Sequence, residues 1–406
     1  MTAHPVSVAV SASSALPASA SDTPATARTR LQAIDALRGL VMLFMLVDHV
    51  RETFFLHLPV SDPVDATTTD PGLFFTRLLS TFCAPTFVAL TGLSAWLYGQ
   101  SHTKTEVSKF LLKRGLFLIF LELSVICLAW PTQPFGFPPA RFWLQVIWAI
   151  GISMLALSAL IHLPRGLQFA LGLAICTLHN LLDPIVLTSQ DSGHAIWAVL
   201  HQRTVIDLGA GLTAKTTYPV LPWIGVILLG YAAGPWFGKG SDPGLRLRRL
   251  VMLGFGMIAA FVLIRYANVY GDKPWFTGDT PLRTVMSFLA LTKYPPSLLF
   301  LLPTLGAGVL LLALFEKYQD SAALPPLTHL GGAPMFFYIL HLYMLKLVYH
   351  VALALYGPVK GTVFGVDNLS TLWIWTALLV VPLYLPTRWF TGVKQRRKDI
   401  WWLKYL

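Results

Sequence analysis

Asp35, Arg38, Asp48 and His49 flank one short apolar run, Leu40–Val47. Eight apolar residues cannot cross a bilayer, because a spanning helix needs about 20. Any helix that crosses here must therefore draw in the charged pair on one side or the other. Each ionisable group costs about 2.5–3.5 kcal/mol in hydrocarbon, so such groups face a protein interior or a wet cavity and are functional candidates by default. Arg38 and His49 are eleven residues apart. On a helix that spacing leaves them roughly 20° from eclipsed and about 16 Å apart along the axis. Asp35 lies one turn from Arg38 and can pair with it. The face thus has a cation at one end and an imidazole at the other. A long donor with an anionic head and a reactive tail fits it, and a coenzyme A thioester has that shape. Arg38 would hold phosphate by charge-assisted hydrogen bonds. His49 would act at the thioester end, as general base or as nucleophile.

Further polar residues stand in apolar surroundings. Glu122 is a lone carboxylate that wants Arg38, His49 or a proton as partner; it reads equally as an orienter of His49 and as structural glue. Gln145 can hydrogen-bond across helices. Lys346 and His350 share a helical stripe with Tyr343, whereas His341 falls on the opposite face with Tyr338. Lys346 is too deep to be a simple interfacial anchor, and a phosphate, a carboxylate or Glu122 suits it. Cys83, Cys127 and Cys176 lack metal-ligand spacing and read as small core residues. Met42 and Met45 read as packing. There is no Walker loop, zinc spacing, nucleophile elbow or dinucleotide fingerprint, so no metal is expected.

The elements that must position these residues follow from composition. Of 406 residues, 55% are hydrophobic and only 12% charged, against about 25% charged in a soluble chain. Mean hydropathy is +0.62. These values exclude an ordinary cytosolic enzyme, a secreted disulfide scaffold and a nucleic-acid reader. The net charge of +11 then reads as basic cytoplasmic loops. Residues 1–27 are rich in Ala, Ser, Thr and Pro, which predicts a disordered tail and not a signal peptide. Apolar runs predict ten spans: 33–56, 73–98, 110–130, 142–162, 166–184, 218–237, 249–269, 297–315, 334–355 and 369–389. Lys and Arg concentrate in alternate connections, which favours both termini in the cytoplasm. The expected fold is all-α, a polytopic membrane helix bundle over 31–393 with a basic, aromatic tail at 394–406. Residues 194–212 are too polar for an eleventh span and read as an outer loop or re-entrant piece. The outer loops 185–217 and 270–296 combine Trp with Asp and basic residues, as a sugar site does, although an interfacial aromatic belt looks the same.

The run Ile34–Leu40, ending in Asp48-His49, resembles the opening helix of the transmembrane acyltransferase superfamily. Its Arg-x10-His spacing is similar to that of bacterial O-antigen-type membrane O-acyltransferases, which implies Arg38 at the acyl donor and His49 in catalysis. The closer likeness is to bacterial relatives of heparan-alpha-glucosaminide N-acetyltransferase. It includes Phe82–Val88 with Thr91–Ser94, Leu144–Trp148, Pro334–Tyr338 with His341, and Trp401-Trp402. In the lysosomal pattern the active histidine lies beyond the first helix beside a tryptophan, and His57 stands in roughly that region without the Trp. His49 and His57 therefore compete. The catalytic candidates are His49, Asp48, His57 and Glu122; the donor-binding candidates are Arg38, Asp35, Gln145, His341 and Lys346. The resemblance implies an inner-membrane acyltransferase taking acetyl from cytoplasmic acetyl-CoA to a glycan hydroxyl or amine at the outer face. Membrane lipid, acetyl-CoA and a glycan acceptor are the expected partners; nucleic acid is not, and a homodimer is allowed for. A proton-coupled transporter is the alternative from another class, disfavoured by the lack of an internal repeat. A degenerate scaffold is a third.

Overall fold

The structure is a computed structural model that describes residues 1–2, 25–132, 136–397 and 399–404. Most of the expected N-terminal tail, residues 3–24, lies outside the described residues. The chain is mostly helical. In order come α1 (Ala25–Phe54), α2 (Pro71–Leu79), α3 (Cys83–Tyr98), α4 (Lys104–Leu121), α5 (Val146–Leu160), α6 (Arg165–Leu178) and α7 (His194–Leu200). They are followed by α8 (Leu221–Ala232), α9 (Pro243–Ala267), α10 (Pro281–Leu289), α11 (Leu298–Lys317), α12 (Leu324–Gly331), α13 (Pro334–Tyr356) and α14 (Leu369–Arg396). Each expected span contains a helix. Five stretches are long and apolar enough to cross a membrane: 71–98, 243–267, 298–317, 334–356 and 369–396. Two more, 146–160 and 221–237, are apolar but shorter. Large apolar side chains stand exposed along α9 and α14, among them Phe255, Leu263, Leu378 and Leu385. Water does not tolerate such a surface and lipid does, so this is a multi-pass membrane protein.

Local chemistry sets the helix ends. Asp70 caps α2 ahead of Pro71, Thr103 and Glu106 form a reciprocal capping box on α4, and Ser297 caps α11. Each supplies an acceptor for amides left unpaired at a helix start. The predicted span 73–98 is broken at residues 80–82. There the Ser80 and Thr81 hydroxyls donate to the carbonyls of Arg77 and Leu78, which competes with helix propagation.

α1 is the axis of the bundle. It packs against α2, α3, α11, α12, α13 and α14. Ala33, Ala36, Val41, Met42, Leu46, Val50 and Phe54 are almost fully buried, as are the polar Asp48, His49 and Arg51, so the helix runs through the core and its charges must find partners there. Its tightest neighbour is α12. A Cβ on Gly39 would sit 2.0 Å from the Leu327 carbonyl oxygen, and one on Gly331 would sit 1.8 Å from that of Asp35. Glycine at these two positions lets the backbones touch and fixes α12 beside the stretch of α1 from Asp35 to Gly39.

The all-α expectation needs one correction. β1 (Arg141–Leu144) pairs in parallel with β3 (Leu212–Thr216), and β2 (Val205–Gly209) pairs antiparallel with β3, in the order β1-β3-β2. The hairpin turns through Gly209, Ala210 and Gly211, all at positive φ, a conformation that two glycines make accessible. The hairpin lies in the polar stretch expected to be an outer loop or re-entrant piece, and β1 takes up the start of the expected span 142–162; strands this short, one of them far away in sequence, leave no local signal. α7 has seven residues, so the region adds no crossing. At the other end of the chain, Lys394 and Arg396 continue α14, and Leu403 packs on Ala333 and Phe390.

Overpacking a helix contact costs about 1–3 kcal/mol. Gly331→Ala should therefore lower the melting temperature in detergent. Gly166→Ala, where a Cβ meets nothing within 4 Å, should leave it unchanged or raise it. Equal melts for the two variants would contradict the close α1–α12 contact.

Candidate active site

The polar residues of α1 separate into two groups, as their spacing requires. At the first, Arg38 Nη1 donates to Asp35 Oδ1 at 2.7 Å, and Nη2 donates to the Ser94 hydroxyl of α3. Lys394 lies within electrostatic range of Arg38 and Asp35, and of Arg114 as well. The expected Asp35–Arg38 pairing is present, and both side chains remain partly open, at 32% and 21%.

The second group is built on Asp48. Its Oδ1 accepts from Arg51 Nε and Nη2 at 3.0 and 2.9 Å. Its Oδ2 accepts from Arg77 Nη1 at 3.0 Å, with Lys293 Nζ at 3.6 Å. Glu52 lies 3.3 Å from Arg51. Arg203 stacks over Tyr294 at 4.9 Å. Asp62, in the loop after α1, accepts from the backbone amides of Lys293 and Tyr294, and its burial pushes the carboxyl above the usual range despite the nearby cations. With both oxygens of Asp48 engaged by cations, its carboxylate organises Arg51, Arg77 and Lys293 and is not placed to take a proton. Sequence reasoning missed all three cations as partners. Arg51 was findable at i+3 from Asp48; Arg77 and Lys293 carry no local signal.

His49 points away from that network into the bundle. Its Nδ1 lies 2.6 Å from Nε2 of His341 on α13, and the rings are parallel within 5°. His341 Nδ1 lies 2.9 Å from the Phe337 carbonyl oxygen. A carbonyl can only accept, so with both rings neutral the chain of protons is fixed. His341 donates from Nδ1 and accepts at Nε2, His49 donates from Nδ1, and His49 Nε2 keeps its lone pair. Glu52 Oε2 stands 3.9 Å from that nitrogen. The Trp130 and Tyr338 rings pack edge-on to His49 at 5.6 and 6.0 Å, and the Trp130 Nε1 and Tyr338 hydroxyl groups have no hydrogen-bond partner. His341, read as a donor-binding residue on the face opposite Lys346, is thus the immediate partner of His49.

A cavity of about 110 Å3 lies at His49. Its lining includes Asp48, His49, Lys293, Tyr218, Tyr338, Thr91 and Arg114. At about 30 Å3 per water, it admits an acyl group or a few waters, not a whole nucleotide.

The remaining candidates go elsewhere. Glu122 is fully buried, where α4 passes into a π-helical turn, Glu122–Ile126. Its Oε2 accepts from the Trp148 amide at 3.1 Å. It therefore supplies an acceptor to an amide at the start of α5. No bond joins it to His49 or Arg38 among the described residues. Gln145 is the residue before α5 and makes no side-chain cap. Lys346 Nζ donates to the Leu128 carbonyl at 2.7 Å, one turn from Tyr343, which donates to Val125. Both α13 side chains thus grip carbonyls around the π-helical turn. His57 bonds Asp367 through Nε2 at 2.8 Å and packs against Gly365, where a Cβ would sit 2.0 Å from its Nδ1. It does not line the His49 cavity.

A helical membrane bundle with an enclosed imidazole pair between two charged groups defines a membrane protein with a buried polar site. The chain belongs to the family of the heparan-alpha-glucosaminide N-acetyltransferase catalytic region, whose match covers residues 30–262. It is therefore a member of a membrane acetyltransferase family. The matched stretch contains Arg38, Asp48, His49, His57 and Glu122 and ends within α9, before Lys293 and His341. No curated protein sequence matches the chain.

Removing one partner of a buried ion pair costs about 3–5 kcal/mol, because the others are left uncompensated. Asp48→Asn should destabilise the protein on that scale in denaturant or thermal melts. Asp48→Asn combined with Arg77→Met should cost less than the sum of the single changes. Strict additivity would show that the two do not interact.

Proposed function

We propose that this chain is a ten-span acyltransferase of a bacterial inner membrane, with both termini in the cytoplasm. It moves an acetyl group from cytoplasmic acetyl-CoA to a hydroxyl or amine of a glycan at the opposite face. The observation that carries the reading is the 2.6 Å contact of His49 Nδ1 with His341 Nε2; with His341 Nδ1 at the Phe337 carbonyl and both rings neutral, it leaves His49 Nε2 as a base inside the cavity. Family membership supports acyl transfer over proton-coupled transport.

In this reading Arg38, helped by Lys394 and Arg114, binds the phosphates of the donor. The pantetheine arm follows α1 over the roughly 16 Å to His49. His49 Nε2 takes the proton from the acceptor O–H or N–H as that atom attacks the thioester carbonyl. His341 holds the ring, and Glu52 balances the imidazolium that forms. The Tyr338 hydroxyl is at hand to donate to the carbonyl oxygen as it gains negative charge. Collapse of the tetrahedral intermediate breaks the C–S bond. The thiolate leaves and takes back the proton from His49, so the protein ends as it began. A covalent acyl-His49 would use the same lone pair as nucleophile and divide the transfer into two steps.

Purified protein in nanodiscs, given acetyl-CoA labelled on the acetyl group with and without a hexosamine acceptor, tests this. Wild type should consume the thioester. His49→Ala should lose about 10²- to 10⁴-fold in kcat, the scale of a missing general base. Arg38→Ala should chiefly raise KM for the donor, and His57→Ala should stay active. Loss in His57→Ala alone would move catalysis to the loop histidine. Wild type that neither binds nor consumes the thioester, yet drives solute uptake with a proton gradient, would overturn the enzyme reading.

A further inference from the structure

Away from the His49 cavity, three residues converge where the end of α6 meets the lobe formed by α7 and the sheet. His179 opens the short 3₁₀ turn His179–Leu182, Asp183 follows it, and His201 follows α7. One nitrogen or oxygen from each lies within 4.8 Å of the other two, and His201 Nε2 is 3.1 Å from Asp183 Oδ1. The two histidines are 2% and 3% exposed. Neither ring nitrogen of His179 has a hydrogen-bond partner, nor has Nδ1 of His201. A buried polar group left unpaired costs about 1–3 kcal/mol, and His179 carries two. The carboxylate of Asp183 is 48% exposed, so the cluster opens to solvent on that side.

Surrounding groups hold the three in place. Asn180 Nδ2 donates to Asp183 Oδ2 at 2.9 Å, while Asn180 Oδ1 accepts from the Leu298 amide at the start of α11. Trp197 packs against the His201 ring at 5.3 Å, and its Nε1 donates to the Ile185 carbonyl. Such outer contacts are how metal ligands are oriented.

We propose that His179, Asp183 and His201 bind one divalent transition-metal ion, zinc in the first place. Two imidazole nitrogens and one carboxylate oxygen are a zinc ligand set, with the fourth position left to water on the open side. Bonds of about 2.0–2.2 Å at tetrahedral angles place ligand atoms roughly 3.4 Å apart. The His201–Asp183 separation already meets that spacing, and rotation of His179 closes the rest. The ion takes up one of the two stranded nitrogens of the buried His179 ring. It also joins the end of α6 to α7 and, through Asn180, to α11. It thereby fastens to the bundle the lobe whose strand β3 leads into Tyr218, a residue of the His49 cavity. No compact zinc motif marks the site in the sequence, because the third ligand comes 18 residues after Asp183.

The test is metal content and spectrum, not acyl transfer. Full-length protein in detergent is stripped with chelator, loaded with ZnCl2 or CoCl2, desalted, and analysed by elemental mass spectrometry, visible absorption and melting. One zinc per chain should survive desalting and raise the melting temperature. Cobalt should give the visible bands of a four-coordinate nitrogen–oxygen site. Asp183→Asn and His201→Gln should weaken zinc binding at least about tenfold, with the size-exclusion profile of Asp183→Asn unchanged. The wild-type cobalt spectrum carries the test if His201→Gln does not fold. No retained metal in wild type, or equal zinc uptake in both variants without cobalt bands, would overturn the proposal.

Discussion

Burying the Asp48 carboxylate is the constraint from which the site is built. A charge inside a membrane bundle is stable only when its oxygens are fully engaged. Arg51 supplies two of the bonds from the same helix, Arg77 reaches in from α2, and Lys293 arrives from the connection before α11. One side chain therefore pins two segments distant in sequence to the same end of α1. The adjacent residue, His49, inherits a position that the ion network holds, yet its ring faces the other way. Helical geometry makes this arrangement available, since successive side chains diverge by about 100°.

The rest of the bundle continues the same pattern of backbone and buried charge completing one another. The π-helical turn after α4 leaves carbonyls that Tyr343 and Lys346 take up. Glu122, at the start of that turn, covers amides at the beginning of α5. These contacts set α13 against the π-helical turn and the residues just after it. α13 is the helix that carries His341, so the partner of His49 is held by polar contacts on two of its faces.

The sequence showed the helices well, because apolar runs of spanning length leave few alternatives in a chain with 12% charge. It showed Arg38, Asp35 and His49 for a related reason: ionisable groups beside an eight-residue apolar run have no cheap place to go. Their partners were harder to see. His341 was assigned a separate face of its own helix, which is correct within that helix and says nothing of what the face meets. Arg77 and Lys293 looked like ordinary loop charges, since only the tertiary fold brings them to Asp48. Glu122 suits two readings by type alone, and its amide partner in α5 has no signature in side-chain types. The three-stranded sheet was missed because its strands are four or five residues long and β1 pairs in parallel with a strand far along the chain.

The unbroken course of α1 makes residue number a different kind of variable from residue identity. Between Arg38, tied to Ser94, and His49, tied to His341, every position adds about 1.5 Å of length and 100° of rotation. Exchanges of side chain within Leu40–Val47 leave the two ends in phase so long as the volume is kept. A single inserted or deleted residue would turn one end to the wrong side of the bundle and strand Asp48 away from its cations. Variation in this segment is thus free in spelling and closed in length, a restriction imposed by a helix acting as a fixed gauge between two anchored ends.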